Sequence, residues 1–125
     1  MDLNQVTVPS KDVEKSIKFY QKMGLKLIVS ALPHYARFSC PTGSSTFSVH
    51  LVENLPHGDR IYVYFECENL DDRVHDLEGK GIAFDEKPND KSWLWRESRL
   101  KDPDQNQIIL YHAGKNRLNP PWRIN

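Results

Sequence analysis

The chain has 125 residues, 17 Lys and Arg balanced by 17 Asp and Glu, and a hydrophobic fraction of 38%. That length suits one compact domain with its own core, and the balanced charge supplies no basic field for nucleic acid or an anionic membrane. No apolar run approaches the ~20 residues of a membrane span, and the opening MDLNQVTVPSKDVEKS has neither half of a secretory signal, so a cytoplasmic protein is expected.

In chain order, LNQVTVPSKDVEKSIKFYQKMGLKLI begins with strand-like alternation, continues with Val13, Ile17 and Tyr20 at helical spacing, and stops at Gly24. Extended segments are then predicted near Leu25 to Val29, Tyr35 to Cys40 and Thr46 to Val52, separated by Pro33, Pro41 and Gly43. The stretch IYVYFECENLDDRVHDLEGKGIAF repeats the opening plan at an offset of 57 residues. Val6 falls on Val63, Val13 on Leu70, Ile17 on Val74, Tyr20 on Leu77 and Gly24 on Gly81. Further strands are predicted at Ile82 to Phe84, Trp93 to Leu100 and Gln107 to Tyr111. Each half thus reads βαβββ, an α+β architecture of two modules (about residues 1–55 and 58–114) followed by an extended tail, 115–125, with a Pro-Pro pair and Trp122.

Strand parity sorts the side chains. Val6 and Val8 are expected under the helix, with Gln5 and Thr7 on the opposite, concave face. By the repeat Tyr62 and Tyr64 join them, as do Ser48 and His50, then Gln107, Ile109 and Tyr111 on the last strand of each module. Matching the last strands of the two modules, FSVHLVEN and QIILYHAG, is expected to set His50 on Ile109. Arg37 is expected on the same face as Tyr35 and Ser39, where a guanidinium can bind a carboxylate or phosphate. A strand over Trp93 and Trp95 would align two indoles as a stacking wall, a subunit contact or core packing. Cys40 and Cys67 are too few for a disulfide framework and lack the electropositive setting of a nucleophile. His34, His57, His75 and His112 show no ligand spacing and are expected to be solvated.

The stretch LNQVTVPSKDVEKSIKFYQKMGLKL resembles the opening signature of the vicinal oxygen chelate superfamily, the glyoxalase, bleomycin-resistance and extradiol dioxygenase group. RLKDPDQNQIILYHAG is similar to its closing signature, an Asp-Pro-Asp-Gly-Asn turn entering a strand of pattern apolar, Glu, apolar. The resemblance covers Leu3 to Gly114 and implies paired βαβββ modules around a concave cavity. It also implies a divalent metal held from the first and last strands of each module, which on this chain means Gln5, His50, Tyr62 and Ile109. Ile109 stands where the carboxylate belongs and has no lone pair to donate. Tyr62 must ionise from a pKa near 10 before it binds well. Gln5 and His50 are then the remaining donors, fewer than the three of a catalytic zinc site, so no cofactor is expected.

The leading reading is a protein that binds a small organic molecule in a largely metal-free cavity lined by Gln5, Thr7, Arg37, Ser48, His50, Tyr62, Tyr64, Trp93, Trp95, Ile109 and Tyr111. The alternatives are a metal-dependent lyase or isomerase of glyoxalase type, in which the metal would polarise vicinal oxygens, and a non-catalytic interaction module anchored by Trp93, Trp95 and Trp122. A homodimer is expected, because family members of this length commonly pair modules between chains. The tail is expected to dock on its own domain or on a partner subunit.

Overall fold

The computed structural model describes residues 1–124 and divides into two compact units, Met1–Arg60 with Asp102–Asn106, and Ile61–Lys101 with the residues from Gln107 onward. The first unit runs β1 (Gln5–Ser10), α1 (Val13–Lys22), β2 (Lys26–Ala31), β3 (Tyr35–Ser39), β4 (Thr46–Leu51). The second runs β5 (Tyr62–Glu66), α2 (Leu70–Gly79), β6 (Glu86–Asp90), β7 (Arg96–Lys101), β8 (Gln107–His112), and closes on a short 3-10 turn, Gly114–Asn116. Each unit is one four-stranded mixed sheet, ordered β1-β4-β3-β2 and β5-β8-β7-β6, with the first and last strands of the unit parallel and the other pairs antiparallel. The duplicated βαβββ plan is therefore present.

Both helices bury one stripe and stop at a glycine, and α1 has a side-chain cap as well. Asp12 caps α1 by accepting the Lys15 amide at 3.1 Å, and Glu14 and Lys22 lie at the ends where the helix dipole favours their charges. Val13, Ser16, Ile17 and Tyr20 form its buried stripe, matched on α2 by Leu70, Val74 and Leu77. Each helix is followed by a glycine at positive φ, Gly24 at 103° and Gly81 at 89°, a conformation costly for any residue with a Cβ. In the first unit Tyr20 packs on Phe47 and Phe38, with ring centroids 4.6 and 5.7 Å away. In the second, Leu77 packs in a core that includes Val63, Leu100, Ile108 and Leu110.

Three expectations shift. The strand predicted at Ile82 to Phe84 forms further on, at Glu86–Asp90, an edge strand where Pro88 need not donate to a ladder. The strand predicted from Trp93 begins at Arg96, because the Lys91–Trp95 segment turns back, with Leu94 at φ +66° and its amide bonded to the Lys91 carbonyl. Val8 is fully buried as expected, but Val6 is only half-buried.

The DPDQN turn belongs to the first unit, and its polar side chains are buried there. Asp102 accepts the Tyr20 hydroxyl at 2.6 Å and the Asn106 side-chain amide at 2.8 Å. Asp104 accepts the Ser16 hydroxyl at 3.0 Å and the Lys11 amide at 2.9 Å, and Asn106 donates to the Pro9 carbonyl at 3.0 Å. Asp102, Asp104 and Asn106 are at most 6% exposed, so the motif read from sequence as a turn is a fully bonded clasp on α1 and β1.

Candidate functional site

Opposite its helix, the first sheet carries polar residues in rows fixed by register. Thr7, Ser48 and Arg37 form one row, Gln5, Thr46 and Ser39 the next, and Pro9, His50 and Tyr35 a third. These groups engage one another. Thr7 and Ser48 share a hydroxyl hydrogen bond of 2.5 Å, the Gln5 side-chain carbonyl accepts from Thr46 at 2.8 Å, and Arg37 donates to the Tyr35 hydroxyl at 2.9 Å. Burial works to raise the Tyr35 pKa, but bonds from Ser48 and Arg37 bring it below its ordinary value.

These registers correct the equivalence of His50 with Ile109. Thr7 pairs with Ser48, and its counterpart Tyr64 pairs with Ile109. Ser48 therefore stands at the position of Ile109, and Arg37 and Arg99 pair with them on the third strand of each unit. His50 is two residues beyond. Gln5 and His50 lie opposite Thr46 and Pro9, four positions apart along the ladder, or ~13 Å at strand rise. They cannot ligate one ion within their unit. The four family positions thus become Gln5, Ser48, Tyr62 and Ile109, a neutral amide, a hydroxyl, a phenol and a hydrocarbon, which do not fit a catalytic divalent metal. Among the described residues no cluster of three His, Cys, Asp or Glu has metal-holding geometry.

The corresponding face of the second sheet is aromatic. Trp95 stacks on Tyr111 at 4.8 Å and 21°, and Tyr64 meets both edge-on, at 5.9 and 5.4 Å. Ile109 is fully buried in a cluster with Tyr111 and Ala113, against which Trp95 packs. Tyr62 and Tyr64 remain 52% and 43% exposed, with the Arg99 guanidinium 5.3 Å from the Tyr62 ring centre. Trp93 does not pair with Trp95 as aligned indoles. Instead its indole N–H donates to Glu97 Oε2 at 2.7 Å, while Trp95 donates to the Asn116 carbonyl at 3.3 Å. Burial first, then the nearby Glu97 carboxylate, raises the Tyr64 phenol.

Sequence reading missed Glu97, a carboxylate 1% exposed on this face. Its available signal was parity alone, since it lies opposite Tyr111 on β7.

Elsewhere the thiols of Cys40 and Cys67 are pushed up by burial, which suits unreactive cysteines. His112 is not simply solvated, for its Nδ1 lies 3.1 Å from the Cys67 carbonyl. The start of the tail is tied down through Asn116 and the Arg117–Glu66 ion pair, but Trp122 stays 57% exposed rather than docking on its own unit. A surface hollow of about 280 Å³ lies beside the start of α2, but the Arg96 guanidinium in it is already held by Asp71 and Asp90.

Two βαβββ units, each a four-stranded mixed sheet covered on one face by a helix, define the glyoxalase and bleomycin-resistance type of α+β protein. The family model described as Glyoxalase/Bleomycin resistance protein/Dioxygenase superfamily matches residues 2–110, and the chain belongs to that superfamily. A Bacillus subtilis (strain 168) protein, the uncharacterized protein YraH, is 29% identical over 128 residues, spanning 89% of this chain and 98% of YraH. In fold the chain is similar to a glyoxalase/bleomycin resistance protein/dioxygenase from Nocardioides, with a TM-score of 0.79, 20% identity, and coverage of 100% of this chain and 90% of the other. It is also similar to a lactoylglutathione lyase from Agrobacterium tumefaciens, with a TM-score of 0.75, 13% identity, and coverage of 94% and 96%. No described helix is long and apolar enough to cross a membrane.

Proposed function

We propose that this protein binds a small organic molecule against the helix-free face of its second sheet, and that it does so without a resident divalent metal. The observation that carries the reading is Ile109. At the position where metal-dependent relatives of the resembled family place a carboxylate, a fully buried hydrocarbon sits between Tyr64 and Arg99 in the strand register. What remains around it is aromatic surface with a few polar groups, the composition typical of small-molecule sites. The proposal also includes pairing with a second copy of the chain, which is supported by the exposure of Ile61, Leu94, Leu118 and Trp122.

Elemental analysis of the purified protein, combined with native mass spectrometry against a library of small organic compounds, tests this. Retained small-molecule adducts, less than stoichiometric metal, and a melting temperature unchanged by EDTA, zinc or nickel are the expected results. A native-state metal at 100 times its dissociation constant would add about 2.7 kcal/mol. Melting several degrees lower after chelation, with recovery on adding one equivalent of metal, would overturn the metal-free reading.

A further inference from the structure

Glu97 is the one described carboxylate on the aromatic face that is nearly inaccessible to solvent, at 1% exposure. Its Oε2 is used by the Trp93 indole, but its Oε1 has no hydrogen-bond partner among the described residues. Nor does any described cation form an ion pair with it. Buried charges in folded proteins are paired, and a buried acceptor left alone is a cost that something normally offsets.

The neighbouring Arg99 is the other described residue with a buried unbonded side-chain atom, its Nε. Its guanidinium, however, is already engaged on Glu86, a carboxylate that it shares with Lys91. Glu86 Oε2 lies 3.6 Å away, and the guanidinium rests over the Tyr62 ring. The acceptor left unserved on this face is therefore Glu97 Oε1. It lies beside Tyr64, whose ring is 43% exposed and electrostatically coupled to the carboxylate.

We infer that Glu97 is the polar anchor of the bound molecule, and that the molecule is an aromatic amine whose ammonium group reaches Glu97 Oε1 while its ring lies on Tyr64. This rests on the binding reading above and adds to it a charge and an anchoring residue. An ammonium supplies both what Oε1 lacks, an N–H donor and a counter-charge. The exposed face of Tyr64 attracts the same cation. Access to Oε1 requires a side chain to move, and Trp93 is suited to do so, being 43% exposed on the β6–β7 turn.

The test uses two probes with one ring system and opposite charge, 1-naphthylmethylamine and 1-naphthoate, titrated into the full chain by calorimetry. The amine should bind at least about tenfold more tightly than the acid, and Glu97→Gln should remove at least about tenfold of amine affinity while leaving naphthoate unchanged. Because the first comparison uses the unmodified protein, it stands even if the variant fails to fold. Tighter binding of naphthoate would overturn the anchor while leaving the small-molecule reading intact. Equal amine affinity in a folded Glu97→Gln variant would mean that Glu97 is only structural, with Oε1 served by trapped water. Binding of neither probe up to about 1 mM would overturn the inference, whereas the broader reading is decided by the mass-spectrometric library.

Discussion

Replacing Tyr20 by Phe removes one hydroxyl from the middle of the first unit and leaves the ring that packs on Phe38 and Phe47. The lost bond is the 2.6 Å donation to Asp102 Oδ2, between two groups that are at most 2% exposed. Hydrogen bonds to charged groups contribute about 1.5–3 kcal/mol. The lower half of that range is expected, because Oδ2 keeps its bond from the Asn106 amide at 2.8 Å. For a domain of this size about 1.5–2 kcal/mol corresponds to a melting temperature lower by roughly 6–8 °C. Urea unfolding should show a lower midpoint at unchanged m-value. A double-mutant cycle with Asp102→Asn should give a coupling of at least about 0.5 kcal/mol. The alkaline limb provides a second readout. Burial first, and then the charge and hydrogen bond of Asp102, hold the Tyr20 phenol well above its ordinary value. A raised folded-state pKa contributes stability that is complete below the unfolded value of about 10 and is lost as pH rises through the folded value. The wild type should therefore lose stability above about pH 10 in a component that Tyr20→Phe lacks. A loss below about 0.5 kcal/mol, or strict additivity in the cycle, would refute the view that the turn is bonded to α1.

Gln105 adopts φ +66° at the position where the resembled signature has Gly, and its side chain is exposed. Gln105→Gly should raise stability by about 0.5–1 kcal/mol in thermal melts, since strain relief exceeds the entropy that glycine adds to the unfolded chain. At Glu66 burial acts to raise the pKa, but the Ala113 and Gly114 amides, aided by His112 and Arg117, bring it below its ordinary 4.5. Its stabilisation is present above pH 4.5 and is lost as pH falls through the lowered value, so Glu66→Gln should be less stable than wild type at neutral pH and converge with it in acid melts. Sedimentation at about tens of micromolar should give twice the 14.6 kDa chain mass, and a monomer there would count against pairing between copies.

The parts of the fold that were legible in the sequence are those where periodicity and a terminator coincide. Val13, Ile17 and Tyr20 before Gly24, and Leu70, Val74 and Leu77 before Gly81, define both helices without ambiguity. The β6 strand was not legible because EKPND has poor strand propensity and forms only as the partner of β7. The slip between Ser48 and His50 has a different origin. A two-residue shift keeps every side chain on its own face, so alternation cannot detect it and only the ladder register does. Glu97 was obscured by the more conspicuous Trp93 and Trp95, and its burial depends on neighbours that no local pattern reveals.

The Asp102–Asn106 clasp also imposes an order on synthesis. Residues 1–60 emerge from the ribosome carrying a Tyr20 hydroxyl and a Ser16 hydroxyl whose carboxylate acceptors lie more than 40 positions downstream. At ~5–20 residues per second the first unit waits several seconds before its last polar partners exist. During that interval it is an incomplete body, exposed to proteases and chaperones. A chain truncated before Asp102 never leaves that state, and the first half expressed alone would not reproduce the first half of this protein.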